Sequence, residues 1–293
     1  MTTVNPRSSS QSPTQGSRSV FRKIILPIAV ALVVIFSLAP ILWQLLTSVK
    51  VNADISAVPS VYFPTRFTLD HYLELFRRRP FSSYLFNSAF VSIISTALCL
   101  ALGAPAAYAL ARLKIVGEQV ILAAVLIVTL FPYILLFLGL LEIVRALGLG
   151  NNYLSLIIPY TAINLPLTIL VMRSFFQQLP RDLEDAAKVD GYNTWQMLTQ
   201  IVLPMTLPAM VTTGILTFIF AWNEFIFALT FMTREDLKTI PVAAAQLSGA
   251  SAFEIPYGPL AAATVLGTLP LVLLVLLFQR RIVQGLTAGA VKG

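Results

Sequence analysis

Side chains that could do chemistry are scarce in this chain and unevenly placed. There is one histidine, His71, and one cysteine, Cys99. A single thiol excludes an intramolecular disulfide, a zinc ribbon or an iron–sulfur site within the chain. A single imidazole leaves no material for a His-rich metal centre, so no metal ligand and no catalytic residue is assigned. A phosphate loop of the form Gly-x4-Gly-Lys-Ser/Thr is missing; Gly289-Ala-Val-Lys-Gly293 lacks both the spacing and the hydroxyl. The remaining polar chemistry gathers in two places. One is the stretch 180–204, which carries Asp182, Glu184, Asp185, Asp190 and Gly191. The other is Glu224, the only acidic residue inside a long apolar run. A carboxylate in that setting is costly and marks a candidate site. With Trp222 and Asn223 it could line a path for a polar solute, or it could make a structural contact.

The elements that must position these residues follow from composition. Of 293 residues, 57% are hydrophobic and 11% charged, and the mean hydropathy is +0.82. A soluble domain carries about a quarter charged residues, so this chain reads as an integral membrane protein. Six apolar runs appear, at about 24–46, 85–110, 120–141, 153–171, 209–231 and 260–278. About 20 apolar residues cross the hydrocarbon core as a helix. The fold class is therefore all-α: a polytopic membrane protein with six transmembrane helices. The first run is too long for a signal-peptide core and reads as a retained span. Residues 1–20, rich in Ser, Thr, Gln and Pro, read as a disordered tail. Pro105, Pro132, Pro159, Pro166 and Pro270 fall inside runs and are expected to kink them.

Six spans put both termini on one side. With the N-terminus in the cytoplasm, twelve of the twenty Lys and Arg residues fall inside and eight outside, the sense the positive-inside rule requires. Arg77 to Arg79 oppose it, but from a longer loop where that rule is weaker. The net charge of +7 is scattered at the edges of runs and forms no stripe, so no nucleic-acid partner is expected. Gly103, Ala107 and Ala111, spaced by four, suit close helix packing within the subunit. No matching halves of the kind found in many secondary transporters are visible.

The stretch 180–204 is polar and lies on the cytoplasmic side in this topology. It reads as two short helices around a glycine turn. Asp182 and Glu184 sit near the first helix's N-terminus, where negative charge is favoured. Leu183, Ala186, Ala187 and Asp190 fall at i, i+3, i+4 and i+7 and are expected to share one face, small enough to admit another protein's backbone. Gly191 suits a left-handed helix end, Asn193 or Thr194 a cap for the next helix, and Pro204 its end.

These residues resemble a known family. The pattern Glu-Ala-Ala, three residues, Gly, nine residues, Ile-x-Leu-Pro marks permease subunits of bacterial ATP-binding-cassette importers. This chain has Asp185-Ala186-Ala187, Gly191 and Ile201-Val202-Leu203-Pro204 at those spacings, with Asp for the usual Glu. Asn87-Ser88, Ala107-Tyr108-Ala109-Leu110-Ala111-Arg112 and Trp222-Asn223-Glu224-Phe225 resemble the carbohydrate branch of the maltose type. The C-terminal segment from Gln279 is similar to the permease that pairs with a second, longer one. Phe253-Glu254 and the C-terminus look like trehalose-importer permeases.

The resemblance implies a machine of several chains in a bacterial cytoplasmic membrane. Two permeases would form the pore, two ATPase subunits would sit below, and an extracellular solute-binding lipoprotein would deliver a disaccharide or oligosaccharide. The coupling residues it implies are Leu183, Glu184, Asp185, Ala186, Ala187, Asp190, Gly191, Ile201, Leu203 and Pro204, in a loop that docks on an ATPase. No cofactor is expected in this chain, because ATP and Mg would belong to the ATPase subunits. Another polar solute, such as glycerol phosphate or glucosylglycerol, and a stand-alone secondary transporter are the alternatives. Blander readings stand beside the sharp ones: Trp222 as helix packing, Tyr108 as an interface anchor, His71 as a solvated loop residue, and Cys99 as a small packing residue.

Overall fold

In lipid, a backbone without water must satisfy its own N–H and C=O groups, and an apolar run does so as a helix. The computed structural model describes residue 23, residues 25–247 and residues 255–290. The expected tail at 1–20, Phe253-Glu254 and the last three residues lie outside them. The main helices are α1 (Leu26–Ser48), α2 (Asp70–Arg78), α3 (Phe81–Arg112), α4 (Glu118–Leu130), α5 (Phe137–Ala146) and α6 (Leu154–Gln178). They continue with α7 (Arg181–Val189), α8 (Thr194–Met197), α9 (Leu207–Asn223), α10 (Ile226–Phe231), α11 (Ile240–Ala245) and α12 (Tyr257–Ala290). Among the described residues there is no strand, only one isolated bridge between Lys50 and Phe67.

Four of these helices, α1, α3, α6 and α12, are long and apolar enough to cross a membrane. Two bent pairs bring the number to six if each is one span: Glu118–Leu130 with Tyr133–Ala146, at 90°, and Thr194–Met205 with Leu207–Asn223, at 80°. The first bend has a local cause. Pro132 forces Phe131 out of the helical region, to φ −72°, ψ 130°. Pro105, Pro159, Pro166 and Pro270 instead sit inside continuous helices.

The run at 209–231 is not one helix. It stops at Asn223, Glu224 turns to extended geometry (φ −65°, ψ 131°), and α10 restarts at Ile226. The Glu224 carboxylate accepts the N–H groups of Phe227 (3.0 Å) and Ala228 (3.2 Å), the orphan donors of a helix start.

Helices α3, α6 and α9 form the centre, and α12 packs on α9 and α1. Helix α1 is peripheral and buries only Ser48. Apolar residues gather in three clusters along the bundle. The cluster at the 181–205 end holds Ala104, Ala107, Tyr108, Met172 and Phe176 of α3 and α6, together with Ala187, Met197, Leu198 and Val202. The loop is therefore part of the core there. Gly103 packs on Thr168, and Cys99 is buried beside the same hydroxyl at 3.1 Å.

Three readings change. His71 is not solvated; it is 3% exposed, with Nε2 2.8 Å from the Lys50 carbonyl. Gly258 makes room for it, since a Cβ there would lie 2.3 Å from the ring. Tyr108 is no interface anchor: it is buried and packs edge-to-face on Phe176. The four residues expected to share one face of α7 do not, as the site geometry makes plain.

Candidate coupling site

The site begins where α6 ends. Leu179 is extended because Pro180 follows it, and Pro180 opens α7. Helix α7 has nine residues, too short to persist alone in water, so its shape depends on what it packs against. Leu183 is half-buried and Ala187 buried against α3 and α6, while Ala186 and Asp190 are exposed. The predicted face is thus split. Ala187 holds the helix to its own bundle. Asp182, Asp185, Ala186, Val189 and Asp190 point outward, with Val189 88% exposed. Asp185 meets Lys188 on that outer surface, in an exposed pair at 3.1 Å that contributes little.

The helix closes on Gly191, at φ +82°. Gly191 N–H donates to the Lys188 carbonyl at 3.1 Å, and Tyr192 N–H to the Ala187 carbonyl at 3.0 Å. This is the double bond pattern of a glycine-terminated helix. Asn193 then caps α8: its side chain accepts Gln196 N–H at 2.9 Å, and Gln196 accepts Asn193 N–H at 3.0 Å. A π-turn over Leu198–Val202 and the short helix Leu203–Met205 follow. Ile201 and Leu203 pack against the α3–α6 cluster, and Pro204 is exposed. Trp195, 63% exposed, extends the outward surface. This surface is acidic and apolar, with no nucleophile–base pair, and its chemistry suits protein docking.

Two arginines fasten this end, and sequence reasoning assigned them no such role. Arg112, the last residue of α3, has Nε 3.0 Å from Glu184 Oε1, with only 5% and 12% of the two side chains exposed. The contact lies off the N–H direction, so it is an ion pair without an aligned hydrogen bond. Arg112 Nη2 also donates to the Leu179 carbonyl. Arg173 of α6 donates to the Leu110 carbonyl at 3.1 Å and to Glu118 Oε1 at 2.7 Å. The available signal was the basic residue closing each apolar run on the side of the one acidic loop.

The other nominated residues lie away from this end. Trp222 is buried between α9 and α12; its Nε1 donates to the Gly267 carbonyl at 2.9 Å, and its ring stacks on Phe218. Asn223 is exposed and donates to its own helix, at Ile219. Glu224 is 5% exposed and receives the Tyr160 hydroxyl besides the two N–H groups of α10. Beyond them, Asn87 Nδ2 donates to the Asp236 and Lys238 carbonyls, and Ser88 accepts Ile240 N–H. Lys238 and Tyr84 hold the Glu235 carboxyl down at about 2.

Known proteins resemble this chain in sequence and in fold. Residues 99–288 match the family model described as binding-protein-dependent transport system inner membrane component. The trehalose transport system permease protein SugB of Mycobacterium tuberculosis is 43% identical over 262 residues, 89% of this chain and 95% of that one. The sulfoquinovosyl glycerol transport system permease protein SmoH of Agrobacterium fabrum is 41% identical over 266 residues, covering 91% and 93%. A crystal structure of a bacterial ABC transporter that imports the acidic polysaccharide alginate superposes with a TM-score of 0.77 over 94% of this chain and 99% of that one, at 22% identity. The chain belongs to the family of binding-protein-dependent transport system inner membrane components, and it is a permease subunit of an ATP-binding-cassette importer.

Proposed function

We propose that this chain is one of two homologous permeases that together form the pore of a sugar importer. Residues 180–204 dock on one of two ATPase subunits, which hold ATP and Mg. A solute-binding lipoprotein delivers the solute from outside. Both termini and the docking loop are cytoplasmic, in keeping with the bias of Lys and Arg. The observation that carries the docking role is the split of α7. Its Glu184 and Ala187 are tied to the bundle, which leaves Asp182, Asp185, Ala186 and Val189 free to meet another protein. Because the inner side is fixed, a push on the outer side moves the bundle instead of bending a loop. ATP-driven closure of the ATPases then switches the permease between inward- and outward-facing states.

The solute is a disaccharide or oligosaccharide of the trehalose or maltose kind; the 43%-identical relative is named for trehalose. The relative named for sulfoquinovosyl glycerol favours a second reading, a glycoside of glycerol. Trp222, Asn223 and Glu224 stay nominated for the solute path, though the contacts of Trp222 and Glu224 support a structural part. The test is reconstitution with the second permease, the ATPase and the binding protein, followed by uptake of labelled trehalose, maltose and glycerol glycosides. ATP-dependent uptake of one of them is expected. Uptake driven by an ion gradient without an ATPase would overturn the proposal in favour of a secondary transporter.

A further inference from the structure

We infer that Arg112 is a positioning residue that makes α3 the lever of the importer, carrying movement of the docking helix to the opposite end of the molecule. The inference rests on the docking role proposed for α7. Three observations point to it. Arg112 holds both sides of the α7 start at once, through the Leu179 carbonyl before it and Glu184 within it. The guanidinium and carboxylate are nearly enclosed, so solvent screens them weakly. The helix that ends in Arg112 has 32 residues without a break, about 48 Å at 1.5 Å per residue.

The far end of α3 is fastened as firmly. Tyr84 donates its hydroxyl to the Glu235 carboxylate, Asn87 donates to the carbonyls of Asp236 and Lys238, and Ser88 accepts Ile240 N–H. The docking helix and the 235–240 segment are thus joined to opposite ends of one element. The covalent path from α7 runs into α6 and α8. Arg112 is the polar link from α7 to α3, supplemented by apolar packing of Ala187 on the α3–α6 cluster. The link is also imperfectly made. Arg112 Nε, Glu184 Oε1 and the Tyr108 hydroxyl are all buried and have no aligned hydrogen-bond partner. Partly satisfied buried groups disfavour the arrangement that contains them, and a second arrangement that pairs them is what a two-state lever requires.

The experiment uses the complete importer in proteoliposomes, with Arg112→Gln, Glu184→Gln, the double variant and Arg112→Lys. Three quantities are read: ATPase retained on the purified complex, the ratio of ATPase activity with solute-loaded binding protein to that without, and uptake per ATP. Each single Gln variant is expected to retain the ATPase while the ratio falls about five- to tenfold, within the usual range of coupling between sites. The double variant is expected to be no worse than either single one, because both remove the same link. Arg112→Lys keeps the charge and is expected to recover part of the ratio. An unchanged ratio, or a double variant equal to the product of the singles, overturns the inference. So does loss of ATPase from the complex in parallel with activity, which marks a residue of assembly only. A wild-type complex that never retains an ATPase refutes the docking proposal itself.

Discussion

Replacing Gly191 should break coupling by a backbone effect alone, and the structure allows its size to be worked out. The residue sits at φ +82°, where an L side chain is strained. A Cβ built there meets nothing within 4 Å, so no steric clash with neighbours adds to the cost. What remains is the left-handed penalty of about 1–2 kcal/mol. Ala should fall at the low end. Val, whose branched Cβ makes positive φ a true outlier, should fall at or above the high end. Asn tolerates this region and should lie close to Gly. A penalty of 1–2 kcal/mol corresponds to a roughly 5- to 30-fold shift in a local equilibrium. Here that equilibrium is closure of the turn by the Gly191–Lys188 and Tyr192–Ala187 bonds. Binding of the isolated ATPase subunit to the permease pair in nanodiscs would read the shift directly. The expected order is Gly, Asn, Ala, Val, with Val weaker than Gly by about 30-fold and membrane insertion intact. Normal binding by Gly191→Val would refute the reasoning. Equal loss in all three variants would also refute it, since that would implicate a contact in place of φ.

The orientation of the chain can be read with single thiols in a Cys99→Ser background. Val58 is 97% and Val116 99% exposed, in the segments before and after α3. Val58→Cys should react with an impermeant reagent on intact cells, and Val116→Cys only with a permeant one; the reverse pattern would invert the topology. At Glu224, both carboxylate oxygens are already taken by Tyr160, Phe227 and Ala228. Glu224→Gln turns an amide donor toward those donors, a cost of about 1–3 kcal/mol. Complex yield and thermal stability should drop while the apparent affinity for solute stays unchanged. An altered affinity in a stable complex would favour the solute path for Glu224 over a structural part.

Much of this molecule is legible without coordinates, because hydrocarbon thickness dictates span length and 20-residue apolar runs stand out against it. The Gly191 turn and the Asn193 cap are legible for a related reason: few residues suit a left-handed or capping position. Burial direction is harder to see. Helix α1 is apolar on nearly every side, so its sequence carries no periodic mark of the face that packs. On α7 the expected face was drawn by spacing alone, whereas the ion pair to Arg112 turned Glu184 inward and left Ala186 outside. The break at Glu224 was hidden for the opposite reason. A carboxylate that caps the next helix leaves no mark of the break in an apolar run that reads as continuous. The burial of His71 depends on Gly258, nearly two hundred positions away, and no local pattern reports such a contact.

The central claim is that the outward side of α7 meets an ATPase, and a cross-link from that side tests it most directly. Ala186 is exposed between Asp185 and the buried Ala187. With Cys99 replaced by Ser and Ala186 by Cys, a short bifunctional reagent would be applied to inside-out vesicles that contain the whole importer. The expected product joins this permease to one ATPase subunit and is absent when the thiol is placed instead at Val58. If Ala186→Cys yields no ATPase-containing product, and its thiol reacts with impermeant reagent on intact cells, the loop faces the wrong side of the membrane and the account fails.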